Sequence, residues 1–237
     1  MKYALVTGGS RGIGRAVCQE LSRRGYHVLI NYVSNETAAR ETLALIGGNG
    51  ALLPFDVADA QAVSDAIGAW QEAHPGEYIE VLVNNAGIRK DNLLIWMEKP
   101  EWDAVLHTTL DGFFHVTKAV LTPMLLHKYG RIVNMASMSG LTGIEGQTNY
   151  SAAKGGLIAA TKALAREVAR KKVTVNAVAP GFIRTEMVEG LDEAALKKTI
   201  PAARFGNPEE VAAVVGFLTS PEASYLTGEC ISVNGGC

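Results

Sequence analysis

Short apolar runs alternate with segments of helical period along the whole chain. The runs Tyr3–Thr7, His27–Tyr32, Ala51–Phe55, Val81–Asn84, Arg131–Ala136, Val173–Ala179 and Cys230–Val233 predict strands. Most are continuously apolar, the pattern of strands covered by helices on both sheet faces. Helical patterns lie between them at 13–24, 35–46, 59–73, 101–127, 149–170 and 208–218. This alternation predicts an α/β fold with a doubly wound parallel sheet of about seven strands, helices on both faces and right-handed crossovers.

No linker, repeat or low-complexity tract interrupts the pattern, so 1–237 reads as one domain. Asn207-Pro208-Glu209-Glu210 predicts a helix start, with a capping side chain, Pro at the first helical position and an acid three residues after the cap. The stretch from Gly181 to Gly206 has no strand pattern and only a weak helical one around 192–199. It is long for a connection, which predicts a substrate lid over 182–206; a surface excursion with one short helix is the alternative.

Composition narrows the class. The profile is globular: 48% hydrophobic, 19% charged and a net charge of −2. No overall positive field exists to hold nucleic acid or an acidic membrane, and no run reaches membrane-spanning length. Cys18, Cys230 and Cys237 are odd in number and far apart, which fits a reducing, cytoplasmic setting rather than a disulfide framework. Cys18, beside Val17 and Leu21, reads as a small buried apolar residue. The five histidines, His107 and His115 among them, lack metal-ligand spacing, so no metal site is expected.

Candidate chemistry begins directly after the first predicted strand, at Thr7-Gly8-Gly9-Ser10-Arg11-Gly12-Ile13-Gly14. Glycines at 8, 12 and 14 permit a tight turn and close helix–strand packing, so the following helix can present bare amides to a pyrophosphate. The expected domain is therefore of Rossmann type. At the end of the second strand, Asn31-Tyr32-Val33-Ser34 carries no acid to take a ribose 2′-hydroxyl or repel a 2′-phosphate. Arg11 inside the turn can pair with that phosphate, which favours NADP(H) over NAD(H). A solvated surface charge is the alternative for Arg11.

Asn149-Tyr150-Ser151-Ala152-Ala153-Lys154 opens a predicted helix, and the spacing of four puts Tyr150 and Lys154 on one face. Ser137 stands thirteen residues before Tyr150, just past a strand on the ligand-binding edge of such sheets, as does Asn84-Asn85-Ala86-Gly87. A phenol is a poor proton donor near neutrality unless tuned, and a neighbouring ammonium is expected to lower its pKa. Ser137 can donate to a developing oxyanion. The three together predict proton delivery during carbonyl reduction. Ser139 is a second hydroxyl, but the spacing selects Ser137.

The combination of TGGSRGIG, Asp56-Val57, NNAG, Ser137 with YSAAK, and Pro180-Gly181-Phe182-Ile183-Arg184-Thr185 resembles the short-chain dehydrogenase/reductases. Within them it is most similar to the bacterial 3-oxoacyl-[acyl-carrier-protein] reductases, and the resemblance runs from Met1 to Cys237, including Arg204-Phe205-Gly206-Asn207-Pro208-Glu209-Glu210 and Tyr225-Leu226-Thr227-Gly228.

The resemblance implies that Gly8 to Ile13 cradle the cofactor phosphates and that Asp56 and Val57 touch the adenine. Asn85, Ala86 and Gly87 would line the ribose side, with Asn84 bracing the sheet. Pro180, Gly181, Ile183 and Thr185 would border the nicotinamide, and Lys154 would bond its ribose. It also implies an acyl-carrier-protein partner docking at Lys128 and Lys171, a homo-oligomer that is commonly a tetramer paired through the two long helices, and a terminus just beyond Cys237. One position departs from the family: the fourth catalytic member, an Asn acting through its main-chain carbonyl, is Thr109 here. Any residue supplies that carbonyl, so Thr109 keeps the proton relay if the local helix distortion survives.

The expected activity is NADPH-dependent reduction of a 3-oxoacyl thioester to the (3R)-3-hydroxyacyl form, in fatty-acid or polyketide-like synthesis. The alternatives are a ketone reductase acting on a free small molecule and a non-catalytic cofactor-binding subunit of a mixed assembly.

Overall fold

A computed structural model describes residues 1–188 and 192–237. Seven parallel strands run in the order β3-β2-β1-β4-β5-β6-β7: β1 Tyr3–Val6, β2 His27–Tyr32, β3 Gly50–Pro54, β4 Ile79–Asn84, β5 Gly130–Met135, β6 Val173–Pro180 and β7 Cys230–Val233. The order reverses between β1 and β4, which opens a crevice at their C-terminal ends. The expected α/β doubly wound sheet is the fold observed.

Both faces of each central strand are apolar because both are covered. Ala4 and Val6 of β1 point into one layer with Val17, Cys18 and Leu21 of α1 (Gly12–Arg23), Ala39 of α2 (Glu36–Leu45), and Val211 and Val215 of α9 (Pro208–Leu218). Tyr3 and Leu5, one residue out of phase, point into the other. There they meet Ile67 and Trp70 of α3 (Ala60–Ala73), Val116 and Met124 of α5 (Gly112–His127), and Ala165 of α7 (Thr148–Val168). Each fully buried aliphatic contributes about 1.5–3 kcal/mol to this two-layer core.

The chain expected to form one helix over 101–127 is broken. It is α4 (Lys99–Leu106), a π-helical turn at His107–Asp111, and then α5. The remaining helices are α6 (Ser139–Thr142), too short to leave a periodic signal, and α8 (Glu193–Lys197), inside the weak pattern at 192–199. At 207 the expected capping box is present between Asn207 and Glu210. The lid expected over 182–206 contains a 3-10 turn at Glu186–Val188 and α8, and it is stitched down by a parallel bridge between Ile183 and Gly206; its residues 189–191 lie outside the described residues. Among the described residues, no helix is long and apolar enough to cross a membrane.

Candidate active site

The glycine turn is built as the spacing requires. Gly8 and Gly12 have φ of 62° and 54°, and a Cβ at Gly14 would lie 2.1 Å from the Gly8 carbonyl oxygen, so α1 packs against the turn only because that side chain is missing. Arg11, the N-cap of α1, makes no side-chain cap bond and no acid occupies the first turn, whereas Asn35, Asp59 and Asp192 cap α2, α3 and α8. The first-turn amides of α1 are thus left for a ligand at the crevice, which fits a pyrophosphate. Gly9 and Ser10 are buried in the turn and Ile13 packs against the core.

Thr7, which sequence reasoning passed over, locks this turn to the next strand end. Its Oγ1 accepts from the amides of Asn85 and Ala86 at 2.9 and 3.0 Å, while Asn85 Nδ2 donates to the carbonyls of Thr7 and Gly8. Asn84 braces the sheet as expected, donating to Thr117 Oγ1 and Asn134 Oδ1. Gly87 passes close to the lysine, since a Cβ there would stand 3.3 Å from Lys154 Nζ.

Asn31 is placed behind the site rather than in it. Its Oδ1 accepts from Gly8 N, and its Nδ2 donates to the carbonyls of Leu53 and Phe55, so it holds the glycine turn to β2 and β3. Tyr32 is buried, Ser34 is exposed, and Asp56 is exposed with its carboxylate accepting from Ala58 N. The Val57 carbonyl faces His115 Nδ1 at 3.1 Å. Arg11 lies across the crevice, its guanidinium 2.6 Å from Glu186 of the 3-10 turn. Thr185 stands beside Gly12, Ile183 is buried against the core, and Pro180 accepts from Met138 N, tying the serine loop to β6. Gly181 N donates to Val233 O.

Ser137, Tyr150 and Lys154 converge at the C-terminal edge. Ser137 follows β5, Tyr150 and Lys154 sit one turn apart on α7, and Lys154 Nζ is 5.5 Å from the Tyr150 ring centroid. The expected lowering of the Tyr150 pKa by Lys154 is corrected by the structure. Burial dominates and raises the phenol, opposed by the neighbouring Ser137 hydroxyl and by the positive charge of Arg89, and reinforced by Asp91. Lys154 Nζ instead donates to the Met135 carbonyl at 2.7 Å, and burial brings its own pKa down to about 8.

Thr109 lies in the π-helical turn, so the helix distortion survives the departure from Asn. Its hydroxyl is buried without a partner among the described residues and borders a small cavity shared with Thr7, Asn84, Ala86 and Gly112. His107 pairs with Asp111 on the helix surface. Lys128 and Lys171 are exposed, but they precede β5 and β6 and so stand at the opposite edge of the sheet from Tyr150 within one chain. Among the described residues, no cluster of His, Cys, Asp or Glu is suited to a metal ion.

A family profile described as enoyl-(acyl carrier protein) reductase matches residues 8–237. The 3-oxoacyl-[acyl-carrier-protein] reductase FabG of Vibrio cholerae is 44% identical over 238 residues, covering 99% of this chain and 96% of that protein. The 3-oxoacyl-[acyl-carrier-protein] reductase of Synechocystis is 47% identical over 239 residues, with 99% and 96% covered. FabG of Escherichia coli K12 is 44% identical over 238 residues with the same coverage. The crystal structure of a protein described as a putative gluconate dehydrogenase from Agrobacterium tumefaciens superposes with a TM-score of 0.94 at 31% identity, covering 99% of this chain and 94% of that one.

Proposed function

The chain belongs to the short-chain dehydrogenase/reductase family and is an oxidoreductase, and from that premise we propose that it reduces a 3-oxoacyl thioester on an acyl carrier protein to the (3R)-3-hydroxyacyl form with NADPH. The observation that carries the chemistry is the buried Tyr150 phenol beside Ser137, one helical turn from Lys154, on the same sheet edge as the uncapped start of α1. The substrate class rests on the names of full-length relatives at 44–47% identity.

Held at the glycine turn of Gly8–Gly14, NADPH would supply the hydride that the carbonyl carbon takes up. Negative charge then develops on the carbonyl oxygen, where the Ser137 hydroxyl donates a hydrogen bond. Tyr150 gives that oxygen its proton. The raised pKa keeps the phenol protonated at neutral pH, which is the form reduction needs and the wrong form for the reverse oxidation. Lys154 holds the floor of the site through Met135 and, in this reading, would bond the cofactor ribose. We assign the main-chain carbonyl of Thr109, which lies in the π-turn and accepts from Gly112 N, to the relay that returns a proton to Tyr150.

The preference for NADP(H) is supported by Arg11 and by the missing acid after β2. The exposed run Leu93, Leu94, Ile95 and Trp96 follows Asn92, whose amide bonds the Gly146 carbonyl near the catalytic helix, and it suits an apolar acyl chain. We read 1–237 as one catalytic domain with a lid over 182–206, working in the cytoplasm. Because Lys128 and Lys171 lie across the sheet from Tyr150, carrier docking there goes together with a homotetramer in which a second chain brings the lysines to the cleft. Phe114, 55% exposed on α5, marks a helix face suited to that pairing.

Steady-state oxidation of NADPH and NADH with acetoacetyl thioester, set against simple cyclic ketones, tests the reading. Turnover of the thioester with NADPH as the better cofactor is expected. Activity confined to the ketones, or none with any 3-oxoacyl thioester, contradicts it.

A further inference from the structure

Ser137 is the near end of a hydrogen-bonded chain that leads out of the site. Ser139 N donates to Ser137 Oγ at 3.1 Å, and the Ser137 and Ser139 hydroxyls are 3.3 Å apart. Ser139 Oγ bonds Gln147 Oε1 at 2.8 Å, and Gln147 Nε2 donates to Asp91 Oδ2 at 3.0 Å. Asp91 is paired with Arg89, which also donates to the Met187 carbonyl of the 3-10 turn at 3.2 Å. Ser139 and Gln147 are buried; the Arg89 and Asp91 side chains are 24% and 34% exposed.

The direction of every bond in this chain follows from Asp91. An ionised carboxylate only accepts, so the Gln147 amide must turn its NH2 to Asp91 and its oxygen to Ser139. The Ser139 hydroxyl must then donate to Gln147 and can only accept from Ser137. Ser137 Oγ accepts from Ser139 N and gives its proton to Ser139 Oγ, so it stands as a donor whose proton can turn to a substrate oxygen. Without Asp91 held in place, the amide can reverse and the Ser139 hydroxyl can turn on Ser137 as a competing donor. Asn149 keeps the two loops in register, because its Nδ2 donates to the Lys90 and Glu101 carbonyls while its Oδ1 accepts from Tyr150 N.

We propose that Arg89 and Asp91 are positioning residues that set Ser137 as a hydrogen-bond donor, and that the Arg89 bond to Met187 makes this setting depend on the 186–188 turn lying over the crevice. The proposal rests on the reading of Ser137 and Tyr150 as the reducing centre. A second consequence follows from charge. Among the described residues, the groups that act on the phenol or lie against its ring are Ser137 from the loop after β5, Lys154 from α7, and the charges of Arg89 and Asp91 on the connection between β4 and α4. Arg89 favours the phenolate and Asp91 opposes it, so removing either one shifts Tyr150 in a direction of its own.

The test compares wild type with Arg89→Gln, Asp91→Asn and Arg89→Lys in both reaction directions, with NADPH binding followed by fluorescence. Arg89→Gln and Asp91→Asn each lower kcat for reduction about ten-fold, the scale of one hydrogen bond to a charged group, with a smaller change in KM. The pH midpoint for 3-hydroxyacyl thioester oxidation moves up in Arg89→Gln and down in Asp91→Asn. Arg89→Lys keeps the wild-type midpoint but loses kcat, since the charge stays and the two-pronged contact is lost. Wild-type kcat for reduction in both neutral variants, in a protein that Tyr150→Phe inactivates, overturns the proposal. An active Tyr150→Phe overturns the reading of the site instead. If Arg89→Gln does not fold, wild-type kcat in both Arg89→Lys and Asp91→Asn overturns the proposal.

Discussion

Replacing Lys154 by Met is expected to remove activity and make the fold more stable at neutral pH. The ammonium is fully buried, its one hydrogen bond among the described residues goes to the Met135 carbonyl, and burial lowers its pKa from 10.5 to about 8. At about 1.4 kcal/mol per unit, that lowering means the charged form costs the folded chain about 3 kcal/mol at pH 7. Methionine fills a similar volume without charge but forgoes the bond to Met135, worth about 1–2 kcal/mol. The net gain is about 1–2 kcal/mol, or roughly 2–8 °C in Tm for a chain of this size. Its pH dependence is the diagnostic part. Between about pH 8 and 10.5 the unfolded chain still holds the lysine proton that the folded chain has released, so wild-type stability rises with pH across that window. The advantage of the variant therefore shrinks and then reverses. Paired melts of cofactor-free wild type and Lys154→Met from pH 7 to 10.5 check this. A variant less stable at pH 7, or a difference independent of pH, refutes the account of Lys154 as a buried charge held against its solvation cost for function.

Three further outcomes follow from the same geometry. Arg11→Gln should weaken NADPH binding about ten-fold while NADH binding changes by less than about two-fold, the loss of one charge-assisted contact to the 2′-phosphate; equal losses in fluorescence titrations of both cofactors would show that Arg11 serves only its partner Glu186. Thr109→Asn should leave kcat within about three-fold of wild type, because the π-turn is already formed with threonine at this position; a large gain in steady-state rate would show that threonine impairs the relay. Gly14→Ala should destabilise the fold by about 2 kcal/mol or more, since its Cβ would meet the Gly8 carbonyl oxygen at 2.1 Å; an unchanged melting curve contradicts the close packing of α1 on the turn.

The sheet was legible because both of its faces are covered. β2 and β7 begin and end where their apolar runs do, and Tyr3 and Leu5 against Ala4 and Val6 need no alternation when each face has its own core. The site was legible where chemistry depends on local spacing, as in the glycine turn and the turn from Tyr150 to Lys154. It was not legible where it depends on contacts distant in sequence. The π-turn adds one residue to a helix without changing its apolar pattern, so 107–111 looked like ordinary helix. Asn31 stood at the expected cofactor position but turns inward to three main-chain groups offered by Gly8, Leu53 and Phe55. The balance of charges on Tyr150 comes from Arg89 and Asp91, some sixty residues earlier in the chain, and nothing in the spacing of Tyr150 and Lys154 announces them.

The central claim is that Tyr150 protonates the oxygen of a reduced 3-oxoacyl thioester. The measurement that addresses it most directly is steady-state NADPH oxidation with acetoacetyl-acyl-carrier-protein by wild type and by Tyr150→Phe, both shown to bind NADPH. Rapid turnover by wild type and a loss of at least about a hundred-fold in the variant, with cofactor binding retained, is the predicted result. Equal turnover by the two proteins would contradict it.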